Sequence, residues 1–372
     1  KQEADMIKNL IFDFGKVLVD YDYMLVLDQV FSTHEQSVDF YNRLMADGWN
    51  KRLDREDKPF GAVIDDMAEA MPQYADEIRQ FGSRYTGFVI GEMEGMRSLL
   101  GQLKQEGYRL FGLTNWCSKV HVTMKQYPIF ELLEGRLVSS EEHLIKPERA
   151  IYERMCEKFA LKPEECVFAD DRMDNIEAAR DYGMRGIVFR NARQYEADLR
   201  RILDIESRVE RAVDNFMQGY GCCQSVVAAF GDMYGLDDNL AKRIGAGFGG
   251  GVGRMRMMCG AVSGIVTCVG LDCGQTDGAD REGKSACYKV VQDLLAKSKE
   301  QNGSLICAEI LGLKGVDKAH SSYVASARTA EYYKKRPCAA KVESAARIFA
   351  DYLEDKLFAE ECAADDSKTV YR

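Results

Sequence analysis

Two rhythms of apolar and polar residues run along this 372-residue chain. In the first part, short apolar runs at 8–13 (KNLIFD), 109–113 (RLFGL), 166–170 (CVFAD) and 186–190 (GIVFR) alternate with stretches of helical period at 95–106, 117–127, 148–160, 174–182 and 193–204. Runs this short read as buried strands, and strands alternating with helices imply a parallel sheet covered on both faces. After residue 206 the rhythm changes. Stretches at 206–218, 223–234, 238–247, 281–300 and 338–357 place apolar residues three and four apart, and few runs alternate, which predicts an all-α region.

Composition supports a boundary at the same place. Three of the twelve cysteines, Cys117, Cys156 and Cys166, precede residue 206, and nine follow it. The net charge of −10 divides into −9 (28 basic, 37 acidic) up to Ile205 and −1 (22 basic, 23 acidic) from Glu206 onward. Two domains of different chemistry are expected, 1–205 and 206–372. Neither half offers the basic face that nucleic acid requires. No apolar run approaches the roughly 18 residues of a membrane span. The opening KQEADMIKNL does not read as a signal peptide, and Met6 is a candidate start, so a cytoplasmic location is expected. In a reducing compartment, nine cysteines read as metal ligands, redox thiols or small apolar residues rather than a disulfide framework. The tail EECAADDSKTVYR is polar and expected to be loose.

Ligands of parallel sheets bind beyond the carboxyl ends of the strands, and polar residues collect there. Asp13 follows the first run, Thr114 and Asn115 the second, Asp170 and Asp171 the third, with Asp174 one turn later; Lys146 precedes a helix in LIKPERAIYE. Each alone is ordinary as a helix cap or solvated loop residue. Their joint placement at one edge of one sheet points to a site.

These motifs, FDFGKVLVD, LTN at 113–115, Lys146-Pro147 and FADDRMDNIEAA at 168–179, occur in the order found in the haloacid dehalogenase superfamily, which residues 6–204 resemble. The resemblance implies a Rossmann-like α/β core with a small helical cap at about 20–92, and is nearest the bacterial sugar-phosphate phosphatase branch. It implies Asp13 as a nucleophile that forms an aspartyl-phosphate and Mg²⁺ held by Asp13, Asp170 and the Gly15 carbonyl. Asp171 would support the site and Asp174 would orient metal-bound water. Thr114 and Asn115 would hold phosphate oxygens, and Lys146 would offset charge in the transition state. The substrate implied is a small phosphorylated metabolite.

One position departs from the typical phosphatase of that superfamily: Gly15 stands where a second aspartate usually acts as general acid–base, although the branch resembled also carries glycine there. A general acid is worth about 10²–10⁴-fold. A good leaving group can need less protonation, or Asp20, Asp22 or a cap residue can take over, or the domain is a weak catalyst that senses a phosphorylated ligand. Dehalogenation is the rival within the superfamily, but it has no use for the DDxxD cluster. In the cap, Trp49 reads as core and Arg52, Asp54 and Arg55 as solvated charges.

In the helical half, GAGFGGGVGRMRMMCGAVSG (245–264) contains a G-x-G-x-x-G match, but no strand leads into it. The glycines read instead as positions of positive φ and close packing that hold Cys259 against another segment. Cys222, Cys307 and Cys338 fall near predicted helix starts, where the dipole favours thiolate. With GYGCCQSVVAAF, CGAVSG (259–264), NGSLICAEILG and RPCAAK, residues 206–357 resemble the redox family named for its pattern C-GCAxxG-C-C, with the central cysteine shifted to precede its glycine. The resemblance implies that Cys222, Cys259, Cys307 and Cys338 form a redox centre or metal site, served by a redox partner protein. Cys223, Cys268, Cys273, Cys287 and Cys362 read as structural. At least two of the four motif thiols are expected to converge near the glycine-rich turn.

Overall fold

The computed structural model describes residues 7–313 and 322–366. Met6, the last six residues of the tail and the side chain of Cys362 lie outside what is described. The chain forms two units, 1–200 and 201–372.

In the first unit, β1 (Asn9–Phe12), β4 (Arg109–Thr114), β5 (Gly135–Val138), β6 (Cys166–Asp170) and β7 (Arg185–Val188) form one sheet in the order β5-β4-β1-β6-β7. Every pairing is parallel. β1 is central, and all four of its residues are buried, as a strand covered on both faces must be. Helices α6 (Met96–Gln105), α7 (Val120–Gln126), α9 (Arg149–Phe159) and α10 (Met173–Tyr182) connect the strands. The short antiparallel pair β2 (Val19–Tyr21) and β3 (Val89–Glu92) leads out to and back from a helical cap. The cap comprises α1 (Met24–Val30), α2 (His34–Ala46), α3 (Trp49–Arg55), α4 (Phe60–Ala70) and α5 (Ala75–Arg84). Phe31, Phe40, Phe81, Tyr85 and Phe88 form its aromatic core.

The strands at 9–12, 109–114, 166–170 and 185–188 lie where the apolar runs predict them. β2, β3 and β5 carry no such run. β5 is an edge strand whose outer half is polar, and the other two have three and four residues. The division between the units falls inside α11 (Ala192–Met217), one continuous helix where two are predicted.

The second unit is helical. α12 (Cys222–Phe230), α13 (Asp238–Ala246), α14 (Gly260–Cys273), α15 (Arg281–Asn302) and the long helix Cys338–Asp366 surround one apolar cluster that includes Val226, Phe230, Ile265, Val269 and Phe349. α14 has no predicted counterpart. Its residues 260–265 are all buried, so no polar face marks it as a helix. A Cβ on Gly264 would stand 2.7 Å from Val226 Cβ, and one on Gly260 3.2 Å from Cys222 Cβ. Those two glycines let α14 lie directly against α12, which brings Cys259, at the N-terminus of α14, beside Cys222.

Candidate functional site

Asp13 leaves β1 with its N–H bonded to Ala169 O of β6, so the two neighbouring strands end side by side. Lys146, 3% exposed, reaches between them. Its Nζ lies 2.9 Å from Asp13 Oδ1 and 2.6 Å from Asp170 Oδ2, and donates to Leu113 O at 3.0 Å. Asp170 also accepts from Asn175 Nδ2 on both oxygens and from Arg172 N. Asp13 Oδ1 is buried, and although it sits within ion-pair distance of Lys146 it has no aligned hydrogen-bond donor. Carboxylate oxygens of Asp13, Asp170 and Asp171 lie within 4.8 Å of one another. This crowding raises the acids. Asp13 is pushed up to about 7 by burial, with Asp170 and Asp171 adding to the rise and Lys146 opposing it. Asp171 is pushed up to about 6 by loss of hydration and by Asp170. One lysine does not balance three carboxylates, and three clustered carboxylates, one with an unsatisfied oxygen, suit a divalent cation with oxygen preference.

The other predicted residues divide. Thr114 is buried at the end of β4. Asn115 uses both ends of its amide on the Lys146 backbone, accepting from Lys146 N at 2.8 Å and donating to Lys146 O at 3.0 Å. It is therefore a clamp that holds the lysine, with one of the two Nδ2 protons engaged in doing so. Asp174 forms a two-point pair with Arg172 at 3.1 and 2.8 Å, while Asp171 occupies the cluster. Asp20 is engaged by Lys16 Nζ at 2.6 Å, and Asp22 accepts from Met24 N at the start of α1 at 2.8 Å.

Gly15 is closely covered. A Cβ there would meet Tyr21 Cε1 at 2.7 Å, and Tyr21 is itself packed edge-on against Tyr23 and Phe88. An aspartate at 15 must displace that ring. Gly15→Asp is therefore expected to lower stability by about 1–3 kcal/mol through overpacking and to bring no gain in turnover. Raised turnover at unchanged melting temperature would show that the ring gives way freely.

The cap presses its third helix against this edge. Ser139 Oγ, at the start of α8 (Ser139–Glu142), donates to Asp54 O at 2.6 Å. Glu56 accepts from Ser118 N and Oγ at 2.7 and 2.9 Å. His143 Nδ1 lies 3.1 Å from Arg55 O, and Arg55 pairs with Glu148. Trp49 is cap core, with Arg52 stacked on its ring. Asp54 is not solvated as the sequence suggests. It is half-buried, and its carboxyl is pushed up to about 7 by burial and by the field of Asp13, with Lys146 opposing. No sequence signal marks it, because its neighbours at the site lie far from it along the chain.

In the second unit all four motif cysteines line one cavity of about 380 Å³. Cys222 opens α12, Cys259 caps α14, Cys307 opens α16 (Cys307–Ile310), and Cys338 opens the long last helix. Cys259 N donates to Leu305 O and Cys307 N to Met257 O, which fixes those two strands of chain side by side. The Cys222 and Cys338 thiols, both on the cavity wall, are near enough for each to shift the other. A lowered thiol is found at one position of three, and its causes there are neighbouring groups rather than the helix dipole. Cys338 is lowered to about 7 by the Cys222 hydrogen bond, helped by Arg336, Arg328 and Arg256. Cys222 is driven up by the same bond and by burial, and burial pushes Cys307 up. Among the described residues no three thiols have sulfurs within 4.8 Å of one another, so a tetrahedral thiolate site for a single zinc ion is not assembled. Cys223 and Cys268 are buried in the apolar cluster.

The glycine-rich segment has an unusual backbone. Gly250, Gly251, Val252, Gly253, Arg254 and Arg256 all have φ between +54° and +75°. Left-handed φ is a strain for a β-branched residue and costly for the arginines. It turns the chain tightly and brings Arg254 and Arg256 to the cavity wall.

Comparison with known proteins gives two families. The one described as "haloacid dehalogenase-like hydrolase" matches residues 7–183, and "Putative redox-active protein (C_GCAxxG_C_C)" matches residues 220–352. A sesquiterpene phosphatase of Aspergillus oryzae is 28% identical over 109 residues, 29% of this chain and 56% of that protein. The chain thus spans about half the length of that relative, and 44% and 47% of two others. A D-ribitol-5-phosphate phosphatase of Bacteroides thetaiotaomicron is 22% identical over 219 residues, 54% of this chain and 100% of that protein. A HAD family enzyme of the same organism, crystallised with magnesium and inorganic phosphate, aligns with a TM-score of 0.43 and 23% identity, covering 50% of this chain and 96% of that one.

Proposed function

From a chain that joins a haloacid dehalogenase-like hydrolase domain to a C_GCAxxG_C_C domain, we propose a Mg²⁺-dependent phosphatase of small phosphorylated metabolites, with sugar phosphates the first class to test, fused to a thiol redox centre. The observation that carries the first half is Lys146 held between Asp13 and Asp170, with Asp171 beside them. Asp13 attacks phosphorus, the bond to the leaving oxygen breaks, and the aspartyl-phosphate is then hydrolysed. Asp13, Asp170 and Asp171 would hold Mg²⁺, with the Gly15 carbonyl as a further ligand, and the ion would supply the charge neutralisation that lets carboxylate and phosphate meet. Lys146 adds a fixed positive charge where negative charge develops. Thr114, at the end of β4, lies at the same edge for a phosphate oxygen. Asn115 keeps the lysine in place, and the Arg172–Asp174 pair orders the turn that carries Asp170 and Asp171.

A leaving alkoxide needs a proton, and Gly15 has none to give. Asp54 is half-buried on the cap helix that Ser139 and Ser118 hold to this edge, and it is the carboxyl assigned here to supply that proton. Asp54→Asn is expected to slow release of a poor leaving group, such as a primary sugar alcohol, by about 10²-fold. Release of p-nitrophenol should change little. Equal losses on both substrates would remove Asp54 from that role.

Phosphate release from a panel of sugar phosphates, with and without Mg²⁺, tests the whole reading. Turnover that persists in excess chelator, or no turnover on any phosphate ester, sinks it. For the second domain the support is the gathering of Cys222, Cys259, Cys307 and Cys338 on one cavity, with Cys222 and Cys338 as the pair that a redox partner protein would reset.

A further inference from the structure

The cavity that holds the four motif cysteines is walled by charge of one sign. Arg254, Arg256, Arg328, Arg336 and Lys341 line it, and among the described residues no carboxylate does. Their hydrogen-bond partners there are neutral. Arg254 donates to Ser322 O at 2.7 Å and Ser326 Oγ at 3.0 Å, Arg328 to Tyr220 O at 3.1 Å, and Lys341 to Asn302 Oδ1 at 2.8 Å. Arg328 Nη1 is buried with no hydrogen-bond partner. Both Arg328 and Arg336 stack on the ring of Tyr332, at 4.5 and 4.8 Å. The guanidinium of Arg254 is lowered by burial and by the repulsion of Arg256 and Arg336. Like charges gathered in a concave, partly dry site are costly unless an anion completes them. The strained left-handed turn at 250–256, which delivers two of these arginines, is a second cost borne at the same place.

We propose that this cavity binds a small anionic disulfide, one bearing carboxylates, and that Cys338 and Cys222 reduce it. The inference rests on the reading of this domain as a redox centre and adds its substrate class. Arginine forks suit carboxylates, and about 380 Å³ suits a small molecule. The Cys338 thiolate attacks one sulfur of the bound disulfide. The sulfur–sulfur bond breaks, a mixed disulfide forms on Cys338, and one thiolate leaves. Cys222 then gives up its proton and attacks the Cys338 sulfur. A Cys222–Cys338 disulfide forms, and the second half leaves as a thiol carrying that proton. The substrate gains two electrons and the cysteine pair loses two; a dithiol on a partner protein returns them.

The test uses the full chain, reduced and freed of oxygen, with three oxidants. Glutathione disulfide is anionic, cystamine is a cationic disulfide, and diamide is uncharged and links any close thiol pair. Glutathione disulfide is expected to oxidise the Cys222–Cys338 pair at least about tenfold faster than cystamine, in keeping with electrostatic focusing. Cys222→Ser should accumulate one glutathionyl group on Cys338, read by mass spectrometry. An Arg256→Gln, Arg336→Gln double variant should lose the preference between the two disulfides, while diamide, slowed because Cys338 loses two of the arginines that lower it, still links the pair to completion. If diamide links the cysteines but cystamine reacts as fast as glutathione disulfide, the anion site fails and the redox pair stands. If diamide leaves both thiols free, the redox reading fails as well. Iron and sulfide bound in stoichiometric amounts by the cysteines would overturn the exchange chemistry.

Discussion

Asp13→Asn is expected to abolish Mg²⁺-dependent phosphate release. The loss should exceed about 10³-fold, the ceiling for deleting one electrostatic donor, because the bond-forming atom itself is gone. The fold should survive. Asp13 is held near 7 by burial, well above an unfolded aspartate. A raised carboxyl contributes stability that is present below its unfolded value and lost as pH rises through about 7. Above that point the parent chain, without Mg²⁺, carries a buried charge that the asparagine variant lacks. The variant should therefore unfold at equal or higher urea concentration than the parent at about pH 8, with the difference shrinking toward about pH 5 and on adding Mg²⁺ to both. Both tryptophans, Trp49 and Trp116, lie in the first unit, so their fluorescence reports its unfolding alone. Turnover within about tenfold of the parent would remove Asp13 from the nucleophile's place.

Lys146→Met should damage stability as well as activity. Removing one partner of a buried ion pair costs about 3–5 kcal/mol, since the remaining charges lose their counterion. Here two carboxylates are stranded. They can escape by taking up protons, so the loss should be larger at about pH 8 than at about pH 5.5, and Mg²⁺ should restore part of it. Urea titrations at the two pH values, followed by tryptophan fluorescence, measure this. A variant as stable as the parent under the alkaline condition without metal would mean that the lysine does not carry the charge balance of the site.

How much of this was legible in the sequence depended on distance along the chain. β1, β4, β6 and β7 are buried on both faces, so their apolar runs announced them, and the polar residues at their ends marked the edge where Asp13, Lys146 and Asp170 meet. Gly135–Val138 forms a strand only because β4 offers it an edge, and α14 hides its helical period because it is so deeply buried. Local spacing suggested thiolates at three helix starts, but the Cys338 thiol and burial raise Cys222, and burial raises Cys307. At Cys338 a hydrogen bond from another helix and arginines from separate segments decided the matter. The role of Asn115 as a clamp, the ring over Gly15 and the approach of Asp54 are all tertiary facts with no trace in local pattern.

The fastening at the end of α3 sets a limit on speed. Four of its contacts are hydrogen bonds, each worth about 0.5–1.5 kcal/mol net, and the Arg55–Glu148 pair, partly exposed, adds about 0–1 kcal/mol. Together they hold the cap down by about 2–7 kcal/mol, so between roughly one molecule in thirty and one in about 10⁵ is open at any instant. For a substrate whose chemistry is quick, departure of the product through that rare opening becomes the slow step. Added salt, which screens the ion pair, would then quicken turnover of the best substrates and leave the poor ones, limited by bond breaking, unmoved.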